Sequence, residues 1–366
     1  MKKMKLLPLI MTILLLSCNK NADPITPVVK PPVIIPTTRV YTISPNPIDP
    51  AADVNAKKLY TYILSQFGKK IISGQTAGQV DFDYIKKVTG MTPLIRDFDM
   101  QHYSPMYSYL WDNNAIDPKT GNKGYFSFGP DTGEMGVETA ISWYNNHDKK
   151  PIIDFQWHWH SPSGGIVGTN TFYTQYTTFD VTKAVVSGTQ ENTDAIRDID
   201  AIAVQLKKLS DAGVPILWRP LHEIGGTWFW WSAKGPVAAK ALWNMIYDRL
   251  TNFHHLHNLI WIWNGNDVAW YPGNDKADLA SIDSYPGNNN YSIDKSEFDK
   301  IYSITGGTKI LAMSENGPIP DINSSLSSDV TWSFFMSWND VWVGNNDQHL
   351  KDVYSNPNVI TLENYK

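Results

Sequence analysis

Eight short apolar segments, separated by stretches with helical periodicity, constrain the fold of this 366-residue chain more than any other feature. One intervening helix is indicated over residues 196–209, where apolar side chains recur every three or four positions before Gly213. Alternating buried strands and helices are typical of βα units in a parallel sheet. Eight such units favour a (β/α)8 TIM barrel over a doubly wound sheet. The predicted strands cover residues 70–75, 93–99, 151–158, 215–223, 259–264, 279–285, 309–315 and 333–338.

Polar and aromatic residues cluster where these predicted strands end. In a barrel of this kind the active site lies at the carboxyl ends of the strands, so we expect the chemistry there. Glu223 and Glu315 end the fourth and seventh predicted strands, nearly opposite each other around the ring, and both carboxyl groups can lean into one cleft. The strand-end residues also include Asp97, Asp99, His158, Arg219, His222, Asn264, Asp283, Tyr285 and Trp338.

Two carboxyl groups in one cleft are the requirement for glycoside hydrolysis. One protonates the leaving oxygen, and the other attacks the sugar or activates water. A separation of about 5 to 5.5 Å leaves no room for an intervening water and is typical of retaining enzymes. We therefore expect the two carboxyl groups to have different pKa values, raised for the acid by apolar surroundings and kept low for the nucleophile by hydrogen bonds.

The composition narrows the class of ligand. Aromatic residues make up 13 % of the chain, with 15 Trp and 18 Tyr, which favours a surface that stacks on sugar rings, nucleobases or quaternary ammonium groups. The net charge is −5, and no long run of one sign occurs. Nucleic acid and anionic membrane surfaces are therefore poor partners.

One motif carries a family resemblance. The sequence WRPLHE at residues 218–223, followed by GGTWFWW at residues 225–231, resembles the acid/base motif of glycoside hydrolase family 26, a clan A family dominated by β-mannanases. Clan A enzymes carry the acid/base after strand four and the nucleophile after strand seven, where the strand count puts Glu223 and Glu315. The resemblance extends over residues 40–366.

The resemblance implies roles for individual residues. Glu223 would be the acid/base and Glu315 the nucleophile of a retaining endo-β-1,4-mannanase that needs no cofactor and cleaves mannan, galactomannan or glucomannan. Tyr285 would hydrogen-bond the nucleophile, and Arg219 is expected to be a buried partner for carboxylates such as Asp97 or Asp99. The substrate-binding residues implied by the family are His158, His222, Trp228, Tyr285 and Trp338.

Other functions remain open at this point. The same fold could release mannobiose from chain ends, cut xylan or mixed-linkage β-glucan, or bind glycans without catalysis. A metal site at His158, His160 and His222 is not favoured, because no cysteine ligand is available and similar barrel hydrolases carry their histidine pair on the first strand. Aromatic residues between residues 101 and 134, and between 161 and 178, are expected to line the two walls of the cleft.

The first residues indicate a targeting segment. Lys2, Lys3 and Lys5 precede an apolar run over residues 6–16 that is too short to span a bilayer. The sequence LLSC at residues 15–18 resembles a bacterial lipobox, and Cys18 is the only cysteine of the chain. We predict a lipoprotein signal peptide over residues 1–17, a lipidated Cys18 with a proline-rich tether over residues 18–39, and one catalytic domain over residues 40–366. The expected mature protein is a monomeric lipoprotein of the bacterial outer membrane that faces the periplasm or the cell surface.

Overall fold

Eight parallel strands form a closed ring in the computed structural model, which describes residues 39–76, 78–106 and 136–366. The ring closes because the first strand pairs with both the second and the eighth. The strands are β1 (Ile71–Thr76), β2 (Ile95–Asp99), β3 (Ile152–Gln156), β4 (Ile216–Arg219), β5 (Leu259–Asn264), β6 (Leu279–Ser284), β7 (Ile310–Asn316) and β8 (Phe334–Ser337), with a short β9 (Val359–Ile360) beside β1. The predicted (β/α)8 barrel is confirmed.

Helices lie between the strands and cover the outside of the ring. Asp53 caps the first of them by accepting the amide N–H groups of Asn55 and Ala56 with its side chain. The helices are α1 (Val54–Gln66), α2 (Gln79–Thr89), α3 (Val137–Asn146), α4 (Val181–Ala184), α5 (Gln190–Asp211), α6 (Pro236–Tyr247), α7 (Lys295–Thr305), α8 (Ile322–Ser327), α9 (Val341–Gly344) and α10 (Asp347–Tyr354). A π-helical segment (Asp248–Phe253) continues α6, and 3₁₀ turns occur at Met100–Tyr103, Thr174–Tyr176 and Val268–Trp270.

The interior of the barrel changes character along the strands. Near their amino ends, the strands contribute one apolar cluster, formed by Ile72, Ile95, Ile152, Leu217, Ile260, Leu279, Ile310 and Phe334. Two residues further on, the same alternation places Asp97, Asp154 and Arg219 on the inner face, and all three are at most 1 % exposed. The apolar half stabilises the barrel, and the polar half carries the site at the carboxyl ends.

Five of the eight barrel strands are shorter than the sequence predicts: β2, β3, β4, β6 and β8. The largest difference is in β4, which ends at Arg219 rather than at Glu223. Pro220 has no amide N–H to donate to a neighbouring strand, and the chain turns there, so Glu223 lies on a loop beyond the strand. The strand β9 was not predicted, because a two-residue strand has no detectable periodicity.

The predicted signal peptide, Cys18 and most of the proline-rich tether lie outside the described residues. Within the described ranges, no helix combines the length and the apolar character needed to cross a membrane.

Candidate active site

Glu223 and Glu315 meet at the carboxyl end of the barrel. One oxygen each of Glu223, Asp283 and Glu315 lies within 4.8 Å of the others. This separation is far below the 6.5 Å or more that an inverting glycosidase needs for its water, and it agrees with the spacing of a retaining enzyme. The geometry therefore allows one carboxyl group to protonate an oxygen while the other attacks the adjacent carbon.

Glu315 is held from two sides. The Tyr285 hydroxyl donates a hydrogen bond to Oε1 at 2.5 Å, and Arg219 Nη2 donates to Oε2 at 3.2 Å. The Tyr285 ring is half exposed, but its hydroxyl lies against the buried Glu315, and burial together with the Glu315 charge raises the tyrosine pKa far above its ordinary value. Tyr285 therefore remains a hydrogen-bond donor, and the Glu315 carboxylate has one fixed orientation.

Glu223 has the electrostatics of a general acid. Its pKa is raised by burial and by the negative charge of Glu315, while a hydrogen bond from Trp228 Nε1 to Oε2 at 2.6 Å opposes the shift. A carboxyl group of raised pKa remains protonated closer to neutral pH, as a proton donor to a leaving oxygen requires. The backbone of Glu223 is left-handed, with φ of 51°, a conformation that costs a non-glycine residue on the order of 1–3 kcal/mol.

A β-bulge on β7 sets the direction of the Glu315 side chain. Ile282 of β6 is aligned with Met313, but the next residue, Asp283, is aligned with Glu315, so Ser314 is an extra residue. Ser314 still faces the interior, where its hydroxyl donates to Asp283 Oδ1 at 3.1 Å. Strict alternation would then turn Glu315 outward, and the bulge instead brings it to the inner face as well.

Arg219 connects the carboxylates at the bottom of the site. Its side chain is 1 % exposed, and it bonds Asp283 at 3.1 Å and Glu315 at 3.2 Å. Gln156 Oε1 accepts a further hydrogen bond from Nη2 at 2.8 Å. Arg219 is thus a buried partner for strand-end carboxylates, as expected, but the carboxylates that it bonds are Asp283 and Glu315 rather than Asp97 or Asp99, because the β4 strand end faces across the barrel to β6 and β7. Asp99 instead bonds Nδ1 of His158 at 2.6 Å.

Two histidines lie beside the carboxylates, and their pKa values are shifted in opposite directions. Burial opposes a charge on His158, but Asp99 outweighs burial and raises the His158 pKa. Burial and the nearby His158 lower the pKa of His222 well below its ordinary value, so His222 remains neutral. The two rings are 4.4 Å apart, edge to face. His158 can therefore offer charge-assisted hydrogen bonds, whereas His222 can offer only neutral ones.

Two hollows lie in the region of His158 and Glu223. The first is bordered by Thr76, Asp99, Gln101, His102, Gln156, His158, Asn170, Phe172, Tyr173, Trp338 and Asn339. The second is bordered by Glu223, Ile224, Gly225, Gly226, Trp228, Asn264, Gly265, Asn266, Asp267, Trp270, Ile282 and Asp283. Aromatic rings line both hollows, an arrangement suited to sugar units on the two sides of a cleaved bond.

A model of the family described as glycosyl hydrolase family 26 matches residues 48–364. This chain belongs to glycosyl hydrolase family 26. The resemblance predicted from the WRPLHE motif is thereby confirmed.

Relatives of this family 26 chain are named mannanases. It is 39 % identical over 332 residues to a mannan endo-1,4-β-mannosidase of Thermothelomyces thermophilus. The alignment covers 86 % of this chain but only 62 % of the relative. A GH26-CBM35 β-(1,4)-mannanase of Podospora anserina superposes with a TM-score of 0.78 at 36 % identity, covering 90 % of this chain and 70 % of that one. A β-mannanase from a symbiotic protist of the termite Reticulitermes speratus, complexed with a gluco-manno-oligosaccharide, has a TM-score of 0.77 at 32 % identity, with coverages of 90 % and 99 %.

Among the four aromatic residues 228–231 of this family 26 chain, Trp228 is the one that hydrogen-bonds Glu223. Trp228 is 50 % exposed and donates to Glu223, whereas Trp230 and Trp231 are at most 1 % exposed. Their indole N–H groups donate to the backbone oxygens of Trp159 and His222. Trp231 therefore supports the backbone of His222, and Trp230 supports that of Trp159.

We predict that Trp228→Phe moves the alkaline limb of the kcat/KM pH profile to higher pH. The lost hydrogen bond stabilises the ionised form of Glu223, so its removal raises the pKa further, and the acid remains protonated to a higher pH. The measurement is kcat/KM on mannopentaose from pH 4 to 9. Trp342→Phe, the same change at an exposed tryptophan on α9, is the control. A shift to lower pH would contradict this account of the Glu223 electrostatics.

A carboxyl pair lies beneath the catalytic residues. Asp97 of β2 is aligned with Asp154 of β3, and both are buried. Thr76 and Gln156 donate hydrogen bonds to Asp97 Oδ2 at 2.9 and 3.0 Å. Burial raises the pKa of Asp154 to about 7, although the Arg219 charge opposes the shift. The interior therefore holds protonated carboxyl groups at mildly acidic pH.

We predict that Asp154→Asn raises the free energy of unfolding, relative to the wild type, by more at pH 8 than at pH 4.5. Between the unfolded pKa near 3.8 and the folded pKa of about 7, the folded protein holds a proton that the unfolded chain has released. The free energy of unfolding of the wild type therefore falls as pH rises through this interval, and the variant lacks that loss. Melting temperatures at both pH values test this, with the exposed Asp148→Asn as control. If the difference in melting temperature between Asp154→Asn and the wild type were the same at both pH values, the prediction would be wrong.

Several groups of the site were not assigned from the sequence. Asn264, Asp283 and Gln156 contact the catalytic network, and their only sequence signal is their position at strand ends. Phe172 and Tyr173 border the first hollow, as expected for the segment 161–178. The predicted wall residues Tyr107, Tyr109, Trp111, Tyr125 and Phe126 lie outside the described residues.

The carboxyl oxygens of Glu223, Asp283 and Glu315 are also close enough together to ligate one cation. Arg219 already bonds two of these carboxylates, Asp283 and Glu315, and supplies positive charge at the same place. His158 and His160, considered as ligands from the sequence, have other partners: Asp99 for His158, and Thr171 and Gln101 for His160.

Proposed function

We propose that this chain is a retaining mannan endo-1,4-β-mannosidase. The observation that carries the proposal is the approach of Glu223 and Glu315 within 4.8 Å at the open end of the barrel. The names of the relatives support mannan as substrate. The chain spans 62 % of the first of these relatives, so their activity is assigned to it as a proposal.

The reaction would proceed in two displacements. Glu223 donates its proton to the glycosidic oxygen while Glu315 attacks the anomeric carbon, which forms a covalent mannosyl-enzyme and releases the leaving chain. Glu223, now ionised, takes a proton from water while the water attacks the anomeric carbon from the face opposite Glu315, which breaks the bond to the Glu315 carboxylate and releases the sugar. The Tyr285 hydroxyl and Arg219 hold the nucleophile throughout, and the configuration is retained.

The leaving chain would occupy the hollow that Glu223 borders. Trp228 and Trp270 line this hollow, and the half-exposed Trp228 ring offers a stacking surface next to the proton donor. The mannosyl unit that becomes covalently attached would extend toward the hollow of His158 and Trp338. The resemblance-based roles of His158, Trp228 and Trp338 in substrate binding agree with these positions.

A panel of polysaccharides tests the proposal. We expect reducing sugar to be released from mannan, galactomannan or glucomannan, and little from xylan or mixed-linkage β-glucan. Proton NMR of the first products should show the β-anomer, and mannohexaose should be cut at internal bonds. Preference for xylan or mixed-linkage glucan, or an α-anomer as first product, would refute it. Mannobiose as the sole early product would indicate chain-end action, and loss of activity in chelator would contradict the expectation that no metal is needed.

We also propose that Cys18 is lipidated and anchors a monomeric enzyme to the bacterial outer membrane. The charged start, the apolar run and the LLSC sequence at residues 15–18 support this. Expressed in a bacterium that processes lipoproteins, the wild type should partition into Triton X-114, and Cys18→Ala should remain aqueous. If the wild type and Cys18→Ala both remained in the aqueous phase, the proposed lipidation of Cys18 would be wrong. The molar mass of Cys18→Ala, measured by light scattering without detergent, tests whether the protein is a monomer.

A further inference from the structure

Asn264, the last residue of β5, receives two consecutive amide N–H groups from the loop that carries the acid/base. Its side-chain Oδ1 accepts the Glu223 N–H, and its backbone oxygen accepts the Ile224 N–H at 3.0 Å. The Glu223 carbonyl in turn accepts the Gly226 N–H at 2.9 Å. A single residue of the neighbouring strand therefore anchors the backbone on which Glu223 is mounted.

The Asn264 amide cannot rotate without losing its other partners. Its Nδ2 donates to Asp283 Oδ1 at 2.7 Å and to Ser314 Oγ at 2.9 Å. An exchange of oxygen and nitrogen would place a donor against the Glu223 N–H and an acceptor against the Asp283 carboxylate. Asn264 is 1 % exposed, so water cannot take over either contact in the closed network.

The contact supports an otherwise unfavourable backbone. Glu223 is left-handed, with φ of 51°, and such a conformation persists where surrounding contacts enforce it. That conformation directs the Glu223 side chain toward Trp228 Nε1 and toward the other two carboxyl groups. Loss of the Asn264 acceptor would release the backbone and misplace the proton donor, while Glu315 keeps its own bonds to Tyr285 and Arg219.

We propose that Asn264 is a positioning residue for the acid/base: by accepting the backbone N–H of Glu223, it holds the carboxyl group where it can protonate the leaving oxygen. This inference rests on the proposed retaining glycosidase function. It predicts that the loss of Asn264 slows only substrates whose leaving group needs a proton, because only these depend on the placement of Glu223.

Leaving-group dependence provides the test. For Asn264→Ala we expect kcat/KM to fall about 100-fold on mannopentaose, whose leaving sugar needs a proton, and by less than about threefold on 2,4-dinitrophenyl β-mannobioside, whose phenolate leaves unaided. The parameter kcat/KM reports the first displacement, so slow hydrolysis of the covalent intermediate does not interfere. In Asn264→Ser the hydroxyl is one bond too short to reach Glu223, so this variant should lose activity on the same substrate. It replaces the alanine variant in the test if that variant does not fold.

Asn258→Ala is the matched control. Asn258 is a fully buried asparagine just before β5, at the opposite end of the barrel, and its amide donates to Val214 at 3.0 Å. Its replacement should change both rates by the same factor. Equal losses on both substrates in the Asn264 variants would overturn the positioning role. A wild type inactive on mannopentaose and on the dinitrophenyl glycoside would instead overturn the proposed function.

Discussion

Glu315→Ala should lower the turnover of mannan by at least about 10⁴-fold while leaving the barrel folded. Glu315 is the carboxylate held by both Tyr285 and Arg219, and without it no covalent intermediate forms. Activated aryl mannosides do not escape the loss, because the first displacement itself needs the nucleophile. The measurement is kcat/KM on mannopentaose and on 2,4-dinitrophenyl β-mannobioside.

Azide identifies the role of the missing group. In Glu315→Ala, azide occupies the space of the carboxylate and attacks from that face, so the product should be an α-mannosyl azide. Glu191→Ala, which removes an acid from the first turn of α5, should retain full activity. A Glu315→Ala variant that keeps a tenth of wild-type activity would assign the nucleophile elsewhere, and Asp283 would be the next carboxylate to test.

Glu223→Ala should show a different pattern of loss. Without the acid, kcat/KM on mannan should fall by about 10² to 10⁴-fold, because the leaving sugar is expelled unprotonated. On the dinitrophenyl substrate the first displacement should continue, and the mannosyl-enzyme should accumulate because no base activates water. A burst of dinitrophenolate followed by slow turnover is the expected time course.

Azide should accelerate the slow phase of Glu223→Ala, because it needs no base to attack the mannosyl-enzyme. It approaches from the face opposite Glu315, so the product should be a β-mannosyl azide. The two alanine variants thus give azides of opposite configuration. The same anomer from both, or no rescue of Glu223→Ala, would reject the assignment of the acid/base.

The scaffold and the meeting of Glu223 and Glu315 at one end of the barrel could be predicted from the sequence because both depend on local patterns. The apolar segments gave eight strands in the right order, and the WRPLHE motif of residues 218–223 singled out Glu223. The strand count then indicated Glu315. Strand bounds were less accurate at β4, where the apolar run continues past Pro220 although the strand ends at Arg219.

The partners of these residues could not be predicted, because they depend on contacts across the barrel. Arg219 reaches Asp283 and Glu315, which follow it by 64 and 96 residues. Asn264 bonds the backbone of Glu223 through a loop whose conformation has no sequence signature. Such contacts follow from strand register and side-chain reach, and neither appears in a one-dimensional pattern.

The extra residue in β7 has a consequence for anyone who wishes to transfer this chemistry to another scaffold. A seven-residue β7 runs beside a six-residue β6, and the surplus residue lets two consecutive side chains, Ser314 and Glu315, face the interior. Removing Ser314 would restore regular pairing and move the glutamate into the inward position that the serine now fills, so the carboxylate would still enter the barrel, but the hydroxyl that bonds Asn264 and Asp283 would be lost. In this design, the length of a strand is itself a functional property, and a graft that copies the glutamate without its surplus neighbour would keep the reactive group and lose the hydroxyl that supports the residues around it.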